Sequence, residues 1–357
     1  MDSIEGNKTR RLPSIHFIPE ITPSDSIKLI PSNIREYLQK KREQQVIMTD
    51  ISVSELIFLL ERESPLNAIS HQIHLSETIE LITGTLVSDK IYRFRGLMLN
   101  FERAMIYFYL FHRIFELLKE FQMAKAALRG YSSFQRIFET LWDLKFPYGL
   151  IRPADITQPL LENKIPKIRH IFQYQVKIGW KIAKHIEKKI EINDALKKFD
   201  LFSPDDVKSI GLSGPIAQAS GVLPVLNPIT STYPRKSAQH FIQYAQTSES
   251  NLWGSLRVGY VELILALNRT SLLLQAYPVS SQTISQETLN GEVTSSFLTT
   301  LGNSHLTINL SNGTVKYFNY ISVQMANMAG ITKLLSICPN ELKSIILLFY
   351  NPEIQFS

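Results

Sequence analysis

The sequence predicts a mainly α-helical protein with small β elements, an α+β chain, and three stretches carry that prediction. Residues 60–111 hold two runs of apolar residues at helical spacing. Residues 173–198 repeat an amphipathic helical pattern. Ser311-Asn312-Gly313-Thr314 is a type I′ turn signal between the β-type runs Leu306 to Leu310 and Val315 to Tyr320.

Taken in order, residues 1–50 form an irregular, β-rich segment. Pro13, Pro19, Pro23 and Pro31 punctuate short β-branched pieces, and Tyr37 to Gln45 reads as a charged helical turn or two. His16 reads as a surface or structural histidine. Residues 51–357 form the larger domain. Ile73, Ile79 and Ile82 recur at helical spacing until Gly84 supplies a stop, and a longer helix starts near the caps Ser88 and Asp89. From Leu97 to Phe111 that helix is apolar on nearly every side, the pattern of a helix enclosed by others at the centre of a fold.

Phe121 to Leu141 continues the helical pattern and residues 146–156 break it. In the helix predicted over Gln173 to Lys198, Val176, Trp180, Ala183 and Ile186 or Ile190 form the apolar stripe. Lys177, Lys181, Lys184 and Lys188 line another face, which reads as solvated, or as a surface for an acidic subunit or lipid headgroups. Gly214-Pro215 leads a loop into a short Ala-containing helix. Gly254-Ser255 opens a long helix within Thr247 to Pro278, with Ser255 able to cap it. A small sheet follows at about 291–320.

Composition narrows the function. With 357 residues, 44% of them apolar, the chain can bury a large core. Its 38 Lys and Arg against 32 Asp and Glu give a net charge of +6, too mild an excess to imply nucleic acid. Cys338 is the single cysteine, so a thiolate cage cannot be built within the chain, and an intracellular location fits. The amino terminus lacks a signal peptide, and no apolar run approaches the roughly 20 residues that span a bilayer.

The most informative motif is Glu61-Arg62-x-Ser64-x-x-Asn67-Ala68-x-x-His71, followed by Glu80. It resembles the large subunit of nickel-iron hydrogenases and the related 49 kDa-type subunit of respiratory complex I, where the hydrogenase pattern is Glu-Arg-x-Cys-x-x-Cys-Ser-x-x-His before a helix bearing a glutamate. Later stretches resemble the same superfamily in the expected order. Gly149, Arg152 and Pro153 match a Tyr-Gly-x-x-Arg-Pro-Gly-Gly-Val turn whose two glycines are here Ala154 and Asp155, which suggests a backbone relaxed from φ > 0. Gly211, Gly214, Pro215, Ala217, Ala219, Ser220 and Gly221 match a Gly-x-x-Gly-Pro-x-x-Arg-Ala-Ser-Gly loop, with Gln218 in place of arginine. Asn327 is shared with a Pro-Ser-Phe-x-Asn-Leu helix start, and Pro352 with a carboxyl-terminal Asp-Pro-Cys-x-x-Cys.

The resemblance implies a multi-helix core of the hydrogenase large-subunit type and an oxidoreductase-complex subunit. It also implies that the former ligand slots are Ser64, Asn67, Glu353 and Phe356, none of which can supply the soft thiolates a nickel-iron centre needs. No cofactor is therefore expected in this chain. In the complex I branch the emptied cavity holds a quinone, but the tyrosine slot falls at Pro65, which has no side-chain donor. Glu61, Arg62 and His71 remain as candidate catalytic residues for a proton path or a polar ligand. The alternative is that Glu61 or Glu80 pairs with Arg62 or Arg103 and fixes helix packing.

The reading that follows is a degenerate subunit, structural or coupling rather than hydrogen-activating, of a membrane-associated redox complex. Its implied partners are a small iron–sulfur subunit carrying the clusters and membrane-embedded ion-translocating subunits. The implied location is cytoplasmic, peripheral on the inner face of the cell membrane. Two alternatives stay open: an active oxidoreductase subunit with a remodelled quinone or small-molecule cavity, and a helical interaction module using the Lys177 to Lys188 face.

Overall fold

A computed structural model describes strands Phe17–Ile21 (β1), Ile27–Pro31 (β2) and Val46–Thr49 (β3), then most of residues 52–188, and parts of 197–222, 238–276 and 283–319. The ligand slots Ser64, Glu353 and Phe356 lie outside the described residues, as do His16, Tyr37 to Gln45, Gly211, Gly214, Asn327 and Cys338.

The first large feature is a helix, a break and a second helix. Helix α1, Val53–Glu63, ends one residue before Ser64, and a 3₁₀ turn, Pro65–Asn67, leads into α2, Ala68–Thr83. Gly84 closes α2 in the left-handed conformation at φ 63°, the stop expected of a glycine there. After the short strand β4, Val87–Ser88, helix α3 runs from Asp89 to Leu117, and the Ser88 hydroxyl accepts the Ile91 N–H at 3.4 Å. Helix α4, Phe121–Trp142, follows.

Helix α3 is the axis of the molecule. Leu97, Met98, Phe101, Ala104, Met105, Phe108 and Phe111 are all buried, because α3 packs on α4, on α2 and on a later helix. Phe101 stacks on Phe172 at 5.5 Å between ring centroids and meets Phe134 edge-on at 5.6 Å, tying α3 and α4 to the helix that bears Phe172. The close crossing of α3 and α4 depends on Gly130: a Cβ there would lie 2.5 Å from the Phe108 ring.

Two short strands, β5 (Ile151–Arg152) and β6 (Asp155–Ile156), form the predicted break as a tight hairpin. Helix α5 spans Ile165–Glu187, so it begins eight residues before the expected Gln173, with Pro166 in its first turn where a missing N–H costs nothing. Of the expected stripe, Ala183 and Ile186 are buried. Ile168, Phe172, Ile178, Ile182 and Ile186 point inward, whereas Trp180, expected on the apolar stripe, is 50% exposed.

Strand β7, Phe199–Asp200, pairs parallel with β2, which pairs antiparallel with β1. Helix α6 is the short Pro215–Ala219, and a 3₁₀ turn, Ala238–Phe241, packs on α3. Helix α7, Leu252–Gln275, packs on α3 and α5. Its cap is Asn251, whose side chain accepts the Gly254 N–H at 2.8 Å; Ser255, the expected cap, already lies inside the helix.

Strand β8, Thr283–Ile284, pairs with β4. Strands β9 (Glu292–Leu298), β10 (Asn303–Asn309) and β11 (Thr314–Asn319) make an antiparallel sheet whose fourth strand is β3, from the amino-terminal segment. The register pairs Asn309 with Thr314, leaving a four-residue connection where a two-residue type I′ turn was expected. The Asn309 and Asn312 side chains accept the Ser311 and Thr314 N–H groups and hold that wider turn. This sheet buries Val293, Leu306, Ile308 and Val315 against Leu56, Ile57 and Leu60 of α1 and Leu75 and Ile82 of α2. Helix α2 is thus enclosed by the helical core on one side and the sheet on the other.

Candidate functional site

The motif singled out in the sequence straddles the break between α1 and α2. Glu61 stands near the end of α1 and is buried; its Oε1 accepts the Gly149 N–H at 2.6 Å. Burial raises its pKa, and the Gly149 N–H opposes that rise. Gly149 holds φ 64°, a conformation open to glycine at little cost. The Arg62 side chain lies outside the described residues. Asn67 ends the 3₁₀ turn and is fully buried.

His71 sits in the first turns of α2, 1% exposed, where burial drives its pKa down to about 3. It is a neutral imidazole at any ordinary pH. Beside it, Gln72 grips the turn after α4 with both ends of its amide: Nε2 donates to the Pro147 carbonyl at 2.7 Å and Oε1 accepts the Ile151 N–H at 2.9 Å. Two turns further along α2, Glu80 accepts the Ala154 N–H at 2.5 Å and both terminal nitrogens of Arg95 at 2.9 and 2.5 Å. Arg95 also donates to the Arg152 carbonyl at 3.0 Å. Glu80 and Arg95 are both fully buried.

Glu61, Gln72, Glu80 and Arg95 therefore hold residues 147, 149, 151, 152 and 154 in sequence, like successive stitches along one edge. Ala154 keeps φ 53°, so the backbone has not relaxed from the left-handed region as the loss of glycine suggested. Glu80 holds it there from the amide side, and its own charge is balanced by Arg95.

The opposite face of α2 engages the sheet. His74 Nε2 lies 2.8 Å from the Ser295 hydroxyl, Thr78 Oγ1 lies 2.6 Å from the same oxygen, and the His74 ring stacks on Phe297 at 5.4 Å. At the start of α2, Glu102 of α3 accepts the Ser70 N–H at 3.1 Å and the Ser70 hydroxyl, an amino-terminal cap supplied from another helix. Burial pushes the Glu102 pKa up to about 8 despite those donors.

A second buried ion pair joins α3 to α7. Arg103 of α3 meets Glu262 of α7, which also accepts the Ala245 N–H at 2.5 Å and the Gln218 amide at 3.2 Å. The Tyr244 ring covers the Arg103 guanidinium at 5.0 Å. Gln218, which stands where the superfamily loop has arginine, is thus a donor to Glu262.

For Glu80 and Arg103 these pairings correct the expectation that Glu61 or Glu80 pairs with Arg62 or Arg103, while a pairing with Arg62 falls outside the described side chains. Glu80 takes Arg95, Arg103 takes Glu262, and Glu61 takes a backbone N–H. Gln72, Arg95, Glu102 and Glu262 were missed in the sequence. The available signal was their polarity within otherwise apolar helices, since a polar group in such a place must find a partner.

The donor set does not fit a nickel-iron centre. Asn67 is the ligand slot whose surroundings are described, and it offers a carboxamide instead of a soft sulfur. Among the described residues no group of three or more His, Cys, Asp or Glu is placed to hold a metal ion. No described helix is long and apolar enough to cross a membrane.

No family model and no curated protein matches the chain. Its fold is similar to that of a chain in the membrane-bound sulfane sulfur reductase (MBS), an archaeal respiratory membrane complex. The TM-score is 0.66 at 16% sequence identity, over 83% of this chain and 82% of that one. The likeness shows the fold, an α+β architecture with a multi-helix core.

Proposed function

We propose that this chain is a structural or coupling subunit of a membrane-associated redox complex, a degenerate relative of the nickel-iron hydrogenase and complex I large subunits that does not activate hydrogen. The observation that carries the reading is the use made of the polar frame. Glu61 accepts a backbone N–H of the 147–154 turn, and Glu80 accepts another together with Arg95, uses that support a structural part for both carboxylates. His71 is buried and neutral, poorly placed to relay protons near neutral pH. The likeness of fold to a chain of an archaeal respiratory membrane complex supports assembly into a complex of that kind. The partners would be a small iron–sulfur subunit and membrane-embedded ion-translocating subunits, with the chain peripheral on the cytoplasmic face.

Affinity purification of the full-length chain from its native membranes tests this. An iron–sulfur subunit and integral membrane subunits should co-purify, and Arg62→Ala and His71→Ala complexes should turn over quinone or ferredoxin undiminished. Recovery as a lone monomer would overturn the assembly, and loss of turnover in an intact complex would restore a catalytic role.

A further inference from the structure

We propose that the cleft between α4 and α5 binds an anionic phospholipid surface, with Trp180 in the bilayer interface and the lysines of α5 on headgroup phosphates. The cleft measures about 500 Å³. Its apolar lining is Met123 of α4 with Val176 and Trp180 of α5, and its cationic lining is Lys177, Lys181, Lys184 and Lys188. The lysines fall at steps of four, three and four, which places them along one strip of the helix.

The strip is both cationic and aromatic. Trp180 and Tyr174 are each 50% exposed. Phe121, at the start of α4, is 69% exposed and adjoins Glu120, whose carboxylate lies 3.6 Å from His185 at the same end of the helix pair. No ion pair among the described residues involves the four lysines. Glu187, the nearest acid on α5, is turned toward Tyr260 and Arg257.

This chemistry favours a lipid surface over an acidic protein. Protein interfaces are enriched in arginine and depleted in lysine, because a guanidinium fork fixes geometry while an ammonium on a flexible stem does not. A row of lysines suits a fluid layer of phosphates, and their stems can lie along apolar surface while the charges reach outward. Tryptophan and tyrosine settle at the headgroup level, and a helix with lysines on its polar face beside exposed aromatics is the pattern of an interfacial helix. The inference goes beyond the subunit reading above, since it gives this chain its own contact with the bilayer. Co-purification tests that reading and vesicle binding tests this one, so each can fail alone.

The experiment is co-sedimentation of the full chain with vesicles of phosphatidylcholine alone or with about one-third phosphatidylglycerol, a fraction that sets a strongly negative surface potential. Binding is expected only to the anionic vesicles, with a roughly tenfold or greater weakening in K177Q/K181Q/K184Q/K188Q and on raising salt severalfold. Trp142 and Trp253 are each only 5% exposed, so brominated lipid should quench fluorescence in the wild type and much less in W180F. The salt titration uses the wild type and so discriminates even where the quadruple variant folds poorly. Equal binding to neutral vesicles would overturn the proposal, as would binding indifferent to salt. Failure on vesicles while an acidic polyglutamate peptide binds would assign the cleft to protein, and displacement by millimolar inorganic phosphate would reduce it to a simple anion site.

Discussion

The backbone N–H of Ala154 donates to Glu80 Oε1 at 2.5 Å while Ala154 itself holds φ 53°, so one buried carboxylate keeps an alanine in a conformation that ordinarily suits glycine. A left-handed non-glycine residue costs about 1–2 kcal/mol. Ala154→Gly should therefore raise stability by up to about 1 kcal/mol, offset in part by the greater freedom of glycine in the unfolded chain. The midpoint of urea unfolding measures this, and a lower midpoint would mean that the Ala154 methyl group packs better than its backbone is strained.

Glu80 and Arg95 should behave as one unit. Arg95→Met leaves the carboxylate buried with only the Ala154 N–H for company, and should cost about 3–5 kcal/mol. Adding Glu80→Gln removes the stranded charge and should recover part of that loss. A double-mutant cycle reads the coupling, and strictly additive losses would show that the two side chains act independently.

Glu102 sets a pH dependence of known sign. Its pKa is about 8 in the folded chain, above the ordinary carboxylate value. Such a group destabilises the fold as pH rises from its unfolded pKa toward its folded one, and the full penalty is present above about 8. Wild-type stability should fall between pH 5 and 8, by up to roughly 1.4 kcal/mol per pH unit from this residue, and Glu102→Gln should flatten the profile. An unchanged slope in the variant would remove Glu102 as its source.

His71 runs the opposite way. Its folded pKa is depressed to about 3, so its contribution is fully present above the unfolded value near 6.5 and is lost as pH falls toward 3. In a histidine NMR titration its ring signals should stay those of a neutral imidazole at pH 5. Titration near 6.5 would contradict its burial.

Gly130→Ala tests the helix crossing at the centre. The added Cβ would lie 2.5 Å from the Phe108 ring, and the shift needed to relieve it should cost about 1–3 kcal/mol. Pairing it with Phe108→Leu should restore part of the stability, as the calorimetric melting temperature would report.

Much of the helical scaffold is legible along the chain. The apolar wrap of Leu97 to Phe111 marks α3 as central, Gly84 ends α2, and Phe121 to Leu141 falls within one residue of α4. These are local signals, because helical spacing and glycine's access to positive φ act within a few residues. Helix α5 shows where such a signal slips: Trp180 looks apolar in sequence, but the face buried from Ile165 onward is set by α3, α4 and α7, and it leaves the indole outside.

The candidate site divides along the same line. Its chain order and the absence of cysteines from Ser64, Asn67, Glu353 and Phe356 are properties of the sequence, as is the lack of the several thiolates that a nickel-iron centre needs. The roles of Glu61, Gln72 and Glu80 are not, since each acts on a turn 74 to 88 residues away. Nor could the sequence choose Arg95 for Glu80 and Glu262 for Arg103, because a buried charge takes whichever opposite charge the packed helices bring within reach, and helical periodicity does not encode that choice.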